Sequence, residues 1–286
     1  MFACLTTQAA VLTGQQPAAP VIFAEGIVST GHEFTVTFTR DGRTVYFTRS
    51  DTVARRNHLM QSVRGAGGWE AATPLPFANG AWSDLDPALS PDGRQLYFIS
   101  TRPRPNAPAD TSANMDLWVA VRSEKGWGEP VWIEALASKG KEGAPTVDRR
   151  GTLCFFSDRG GVANQNTIYC SRPAARGYTA PEKQGPEINA GPSDTSPWLA
   201  PDGKTMLFYS TRPGGRGAAD LYLSRKHDNT WLPAVNLGPI VNTPEFEYNP
   251  SVSPDGKTLY FGRKGRVWEV PVKALDPQLI NSRWFR

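Results

Sequence analysis

The chain has 286 residues and a formal net charge of +4, with 20% charged and 39% hydrophobic residues. The positive charge is mild and forms no block of lysines and arginines, which argues against nucleic-acid binding. No apolar run approaches the roughly 18 residues that span a bilayer. The 27 glycines and 25 prolines favour an all-β protein with many turns.

Residues 1–19 form the first predicted segment and contain no charged side chain. A complete signal peptide has a basic start and a longer apolar stretch than this segment offers. We therefore interpret residues 1–19 as a disordered leader or as the remnant of an export signal with a misplaced start. A short apolar strand, residues 20–23, follows it.

A hairpin motif then recurs along the chain. Its clearest copy, residues 250–261, has a Ser-Pro-Asp-Gly turn between two short apolar stretches that are typical of strands. Equivalent turn glycines follow one another at intervals of 51–58 residues: Gly42, Gly93, Gly151, Gly203 and Gly256. A period near fifty with several strands per unit predicts a β-propeller.

Each repeat also contains a third apolar strand. The predicted third strands are residues 59–63, 116–120, 167–171, 220–224 and 266–270. The first four repeats end with an aromatic residue, a proline and a short apolar strand, but the last repeat lacks this ending. We therefore expect residues 20–23 to supply the outer strand of the last blade, which closes five four-stranded antiparallel blades without a free edge. A six-bladed ring is the alternative, and it needs a blade that the sequence does not contain.

The Pro-Asp-Gly hairpins, followed by Leu-Tyr-Phe and Ser-x-Arg, resemble the WD-like propeller repeat of the TolB family. The resemblance extends over residues 20–272 and implies a single propeller domain at residues 20–286 with a short tail at 273–286. It also implies an exported, periplasmic protein, with a cytoplasmic location as the alternative. Because propellers carry many unrelated functions, the resemblance indicates the fold better than the function.

An acidic residue stands nine positions before each turn glycine: Glu33, Asp84, Glu142, Asp194 and Glu247. On a propeller these five residues lie around the mouth of the central channel. Arginines end the second strands of three blades and provide pairing partners: Arg102, Arg159 and Arg212. The favoured interpretation is acid–arginine pairing, and a site for a divalent cation or a polar ligand is the alternative. Trp82 and Trp198 lie near the acids, where they either pack between blades or stack on a sugar.

From these features we predict a monomeric, non-catalytic binding or scaffolding propeller without a cofactor. It presents a surface to a protein, a glycan or another polar small molecule at the channel mouth. The alternative function is a carbohydrate-active enzyme, a glycosidase or lyase that uses the channel-mouth carboxylates. No residue pattern singles out an acid and a nucleophile. The favoured interpretation of His32, His58 and His227 is exposed loop histidines, since His58 and His227 fall in different blades; the alternative is that His32, next to Glu33, joins a site at the channel mouth.

Cys154 and Cys170 fall on the second and third strands of the third repeat. Alignment of the repeats predicts that they lie directly opposite each other. Opposed residues have Cβ atoms about 4.5–5.5 Å apart, which is wider than a disulfide prefers. The sequence therefore predicts their proximity and leaves the bond between them open.

Overall fold

Five antiparallel blades follow one another in a ring, numbered here 1 to 5 from their inner strands. The computed structural model describes residues 18–105, 115–162 and 165–279. The inner strands are Glu33–Phe38, Asp84–Leu89, Glu142–Val147, Asp194–Leu199 and Tyr248–Val252. The second strands are Thr44–Asp51, Gln95–Ser100, Leu153–Ser157, Thr205–Ser210 and Thr258–Arg263.

The remaining strands complete the blades. The third strands are Arg56–Gly65, Asp116–Ser123, Thr167–Ser171, Asp220–His227 and Arg266–Pro271. The outer strands are Thr73–Pro74, Val131–Trp132, Glu182–Lys183, Val235–Asn236 and, for blade 5, Val21–Ile22. Three further short strands pair with third strands, namely Gly68–Trp69, Gly126–Trp127 and Thr230–Trp231. Two 3-10 turns, Glu134–Leu136 and Val272–Ala274, are the helical elements of the described residues.

The core lies between blades, because each blade presents apolar side chains on both faces. The same phenylalanine of every second strand is at most 1% exposed. These residues are Phe47, Phe98, Phe155, Phe208 and Phe261. Full burial of one such side chain contributes about 1.5–3 kcal/mol to folding. The repeated Leu-Tyr-Phe pattern is therefore the main apolar support of the ring.

The ring closes with a strand from the beginning of the described chain, as predicted. Val21 pairs with Glu269 and Ile22 with Trp268 on the last third strand. Phe23 continues the contact: its N–H donates to the Val267 carbonyl at 2.9 Å, and its buried ring lies 4.9 Å from that of Tyr260. The described residues thus form five blades, with no blade left over for a six-bladed ring.

Every inner strand is interrupted at the same repeat position by a residue with positive φ. These residues are Thr35, Asp86, Ala144, Ser196 and Asn249, with φ between 44° and 55°. The strand register shifts at each of them, as at a β-bulge. A proline follows in blades 2 to 5, and it loses no ladder hydrogen bond there because it has no N–H. Each bulge divides its inner strand into two parts with different surroundings. One part lies next to the acidic residue that opens the repeat, and the other leads to the hairpin turn.

The predicted register of blade 3 is confirmed, because Cys154 lies directly opposite Cys170. The two residues form a disulfide with Cα atoms 4.0 Å apart. The bond that the sequence left open is therefore present. The predicted leader, residues 1–19, lies outside the described residues except for its last two, and the tail is described only as far as residue 279.

Candidate functional site

The first candidate region is the acid end of the inner strands, where the five predicted carboxylates are at most 2% exposed. Each carboxylate is paired with an arginine at the end of the second strand of its own blade. The pairs are Glu33–Arg49 at 2.7 Å, Asp84–Arg102 at 2.5 Å, Glu142–Arg159 at 3.1 Å, Asp194–Arg212 at 2.9 Å and Glu247–Arg263 at 2.8 Å.

The same five arginines hold the loop that precedes each inner strand. Each guanidinium donates to a backbone carbonyl of that loop at 2.5–2.8 Å. The accepting residues are Ile27, Phe77, Leu136, Ile188 and Val241. One arginine therefore connects the inner strand, the second strand and the incoming loop of a blade. This arrangement gives the acid end a structural role, as the favoured interpretation of the sequence predicts.

Sequence reasoning missed Arg49 and Arg263 because they do not belong to a Ser-x-Arg motif. In blades 2 to 4 a serine ends the strand and the arginine comes two residues later. In blades 1 and 5 the arginine itself occupies the serine position, opposite or near the acid. Alignment on the turn glycine, rather than a search for the motif, would have found both residues.

The carboxylates of the acid end differ in how their burial is offset. Burial raises the pKa of Asp84 and of Glu142, despite hydrogen bonds from Ser100 and Ser157. Burial also acts on Glu33, but hydrogen bonds from the Thr30 hydroxyl and backbone and from Arg49 outweigh it, and the net pKa is lowered. The more donors surround a buried carboxylate, the better its charged form is stabilised.

No group of three or more His, Cys, Asp or Glu side chains within the described ranges is arranged to hold a metal ion. His32 and His227 are exposed and His58 is half-buried, each in a different part of the ring. A ligand-binding role for the acids and for Arg102, Arg159 and Arg212 stays a prediction.

The second candidate region is a cavity of about 600 Å³ at the opposite, turn end of the inner strands. All five blades contribute to it, mainly through residues 35–38, 87–92, 144–149, 196–199 and 249–254. These segments run from the bulges to the hairpin turns. We call this space the turn-end cavity.

A polar cluster joins three blades at the level of the bulges. The Asp86 carboxylate accepts hydrogen bonds from the Thr35 hydroxyl at 2.6 Å and from the Asn249 amide at 3.3 Å. The Asn249 amide also donates to the Thr35 hydroxyl. No described lysine or arginine forms an ion pair with Asp86. Burial therefore raises the pKa of Asp86 to about 6, although these hydrogen bonds oppose the shift.

Tyr209 adds a second perturbed group near this cluster. Burial raises the pKa of its phenol to about 12, and the charge of Asp86 contributes in the same direction. The region around Asp86 is thus buried and contains a carboxylate that no described lysine or arginine neutralises. Sequence reasoning missed Asp86, although an acid at a repeat position that otherwise carries Thr, Ala, Ser and Asn is a signal that the repeat alignment contains.

Small hydroxyl side chains connect neighbouring blades inside the turn-end cavity. The Thr37 hydroxyl accepts a hydrogen bond from the backbone N–H of Leu89, and the Thr146 hydroxyl accepts one from Leu199. Ser251 occupies the same repeat position in blade 5 and is 5% exposed. Its hydroxyl has no hydrogen-bond partner among the described residues, although it belongs to the cavity lining.

The two tryptophans that the sequence placed near the acids lie in different regions. Trp198 lines the turn-end cavity and packs against the apolar cluster between blades 4 and 5. Trp82 is 40% exposed in the loop that leads to the acid end of blade 2. The structure therefore does not bring them together, and only Trp198 contributes to the cavity.

The ring of five antiparallel blades places the chain in the class of five-bladed β-propellers. No protein-family model matches the chain, and no curated protein matches it. The fold resembles that of TolB from Acinetobacter baumannii at 16% sequence identity and a TM-score of 0.50, over 84% of this chain and 54% of that chain. The chain thus spans about half the length of that protein.

A gluconolactonase from Xanthomonas campestris is similar at 14% identity and a TM-score of 0.51, over 91% of this chain and 95% of that chain. At such low identities the likeness shows the β-propeller fold alone. The resemblance to TolB-like propellers is thereby supported at the level of the fold, and the function is left open. In the part of the chain that is described, no helix has the length and apolar character that a membrane span requires.

Proposed function

We propose that the protein is a non-catalytic binding propeller whose ligand occupies the turn-end cavity. The observation that carries this proposal is the cavity itself, because about 600 Å³ falls within the usual size of a small-molecule site. Its lining combines an aromatic face on Trp198 with hydroxyl groups such as that of Ser251. This combination suits a polar small molecule, a glycan or a short peptide segment of a partner protein.

The contacts at the acid end support binding over hydrolysis. A glycosidase needs two carboxyl groups with opposed pKa values on either side of the bond that it cleaves. All five acids at this end are paired with arginines of their own blades, so their carboxylates serve contacts within the blades. One observation favours the catalytic alternative, a carbohydrate-active enzyme: burial raises the pKa of Asp86 to about 6, and no described arginine forms an ion pair with it.

An exported, periplasmic location is part of the proposal. The disulfide between Cys154 and Cys170 supports it, because such bonds persist in oxidising compartments and are rare in the cytosol. The likeness to TolB supports the same location by analogy of fold.

The experiment that tests the proposal is a thermal-shift screen with disaccharides and tripeptides as probes. A probe that binds the native state raises the melting temperature with the logarithm of its concentration. We expect Ala88→Phe, which fills the turn-end cavity, to abolish this response. Ala175→Phe, at an exposed loop position of blade 3, is the matched control and should respond like the wild type.

The control for folding is the circular dichroism of each variant, with Trp198→Leu as a second, smaller change in the cavity lining. An unchanged response in both folded cavity variants would contradict the proposal, as would the lack of any response in the screen. The catalytic alternative is tested with the same disaccharides: cleavage by the wild type that is lost in Asp86→Asn would replace the binding function.

A further inference from the structure

Two hairpin turns break the repeat pattern where they border the turn-end cavity. Blades 2, 4 and 5 have a proline two positions before the turn glycine, namely Pro91, Pro201 and Pro254. Blades 1 and 3 have Arg40 and Arg149 at this position, and both arginines line the cavity. The mouth therefore has two long cationic side chains where the other turns have a short apolar ring.

The side chains of these two arginines differ from those of the acid end, although the backbone N–H of Arg149 donates to the Pro201 carbonyl at 2.9 Å. Both are exposed, and neither guanidinium forms an ion pair with any described residue. This contrasts with the five arginines of the acid end, which each bind a carboxylate and a carbonyl. An arginine fork is well suited to bind a carboxylate or a phosphate through two parallel hydrogen bonds.

Two carboxylates also line the cavity, but both hold the turns to which they belong. Asp92 accepts hydrogen bonds from the Ser90 hydroxyl and the Arg94 backbone. Asp148 accepts from the backbone N–H groups of Arg150 and Thr152. Neither acid forms an ion pair with Arg40 or Arg149, so no carboxylate among the described residues neutralises these two charges by direct contact.

The lining contains a second, independent sign of a ligand. The Ser251 hydroxyl is buried and has no partner among the described residues, whereas the equivalent Thr37 and Thr146 hydroxyls accept hydrogen bonds from the next blade. A buried polar atom without a partner costs about 1–3 kcal/mol. A ligand that extends from the mouth into the cavity can supply the missing hydrogen bond.

We infer that the turn-end cavity recognises an anionic small molecule whose carboxylate or phosphate group binds Arg40 and Arg149 at the mouth. This inference rests on the proposed function and deepens it by assigning the chemical class of the ligand. The mouth position is five positions along the chain from the bulge, which corresponds to roughly 16 Å of extended strand. The rest of the ligand thus extends past Trp198 and Ser251 towards the polar cluster of Asp86.

Isothermal titration calorimetry at constant ionic strength tests the inference, with succinate, inorganic phosphate and uncharged succinamide as probes. We expect saturable binding of succinate or phosphate, and none of succinamide. Arg40→Gln and Arg149→Gln should each weaken the anion about tenfold, as expected for the loss of a charged hydrogen bond. The stronger of the two anions tells whether a carboxylate or a phosphate is preferred.

Arg43→Gln and Arg94→Gln are the controls: Arg43 is exposed in the same turn as Arg40, Arg94 is exposed in the turn of blade 2, and neither lines the cavity. They should bind the anions like the wild type. Equal affinity for succinamide and succinate, unchanged affinity in both mouth variants, or no saturable binding of either anion up to about 50 mM would overturn the inference.

The outcomes separate this inference from the proposed function. If disaccharides or tripeptides bind in a way that Ala88→Phe abolishes while both anions fail to bind, the cavity function stands and the ligand class is wrong. If the anions depend on Arg40 and Arg149 but Ala88→Phe has no effect on any probe, the arginines bind anions at the rim and the cavity function is wrong.

Discussion

The two ends of the inner strands are built from the same five repeats but differ in how they use charge. At the acid end every blade carries the same pair, and each guanidinium satisfies a carboxylate and a carbonyl. At the turn end Arg40, Arg149 and the Ser251 hydroxyl have no such partners among the described residues. Strict repetition with full pairing is what a scaffold requires, whereas departures from the repeat that leave polar groups unpaired point to recognition.

The largest expected effect comes from breaking one pair of the acid end. Glu247 is fully buried and Arg263 is nearly so. Glu247→Gln removes the negative charge and leaves the guanidinium buried without a counter-ion. We expect the free energy of unfolding, measured by urea denaturation, to fall by about 3 kcal/mol.

The matched control is Glu245→Gln, because Glu245 forms an ion pair with Lys264 at 2.7 Å in which both side chains are about half exposed or more. Surface pairs contribute about 0–1 kcal/mol, so this variant should unfold like the wild type. Replacing Arg263 by Met in the Glu247→Gln background should recover part of the loss. Equal effects of the two single variants would remove the distinction between the acid end and ordinary surface charge.

A smaller effect, of opposite sign, is expected at the polar cluster between the two ends. The pKa of Asp86 is raised from 3.8 to about 6 in the folded protein. The folded state therefore binds a proton between about pH 6 and pH 4 that the unfolded state does not bind, and the stability contributed by this group rises as the pH falls through that window. Above pH 6 the buried charge is destabilising.

Asp86→Asn should accordingly raise the free energy of unfolding at pH 7.5 by about 2 kcal/mol and remove the gain between pH 6 and pH 4. Asparagine is among the residues best tolerated at positive φ, so the bulge itself should not be strained. Asp92→Asn, in an exposed turn, should keep the pH dependence that Asp86 causes. If the free energy of unfolding changes between pH 6 and pH 4 in the same way for the wild type and for Asp86→Asn, the raised pKa of Asp86 is contradicted.

The smallest expected effect is that of divalent cations, which should not change the melting temperature. Since arginines neutralise the acid end, Ca²⁺ or Mn²⁺ up to about 5 mM should leave the melting temperature unchanged. A rise with the logarithm of the metal concentration that Glu142→Gln weakens would favour the cation site over acid–arginine pairing. It would also bring the acid end back as a candidate ligand site.

The fold was largely predictable because its information is local and repeated. Each turn glycine fixes the position of a hairpin, and the Leu-Tyr-Phe pattern after it fixes the buried strand. The strand register followed from the same alignment, as the contact of Cys154 with Cys170 shows. The closure by Val21–Ile22 followed from the missing outer strand of the last repeat.

The candidate site was less predictable because it depends on departures from the repeat. The repeat alignment marks Asp86 and Arg149 as departures, but acids and arginines are common near turns and the alignment gives neither residue a role. Their significance comes from burial and from the lack of partners, which depend on contacts between blades. Trp82 and Trp198 illustrate the same limit: both lie near acids in the sequence, yet Trp82 lies in the loop before the acid end of blade 2 and Trp198 lines the turn-end cavity from blade 4.

The pairing of Val21–Ile22 with the last strand also has a consequence for the order of assembly. The Ser29 hydroxyl bonds the Val267 carbonyl, a contact between residues 238 positions apart. Such a contact forms only after the intervening blades have been synthesised and brought together, and contacts of long sequence separation slow folding. Val21–Ile22 therefore stay without their strand partner until Arg266–Pro271 is in place. Blade 5, which joins the two ends of the ring, is for this reason completed last.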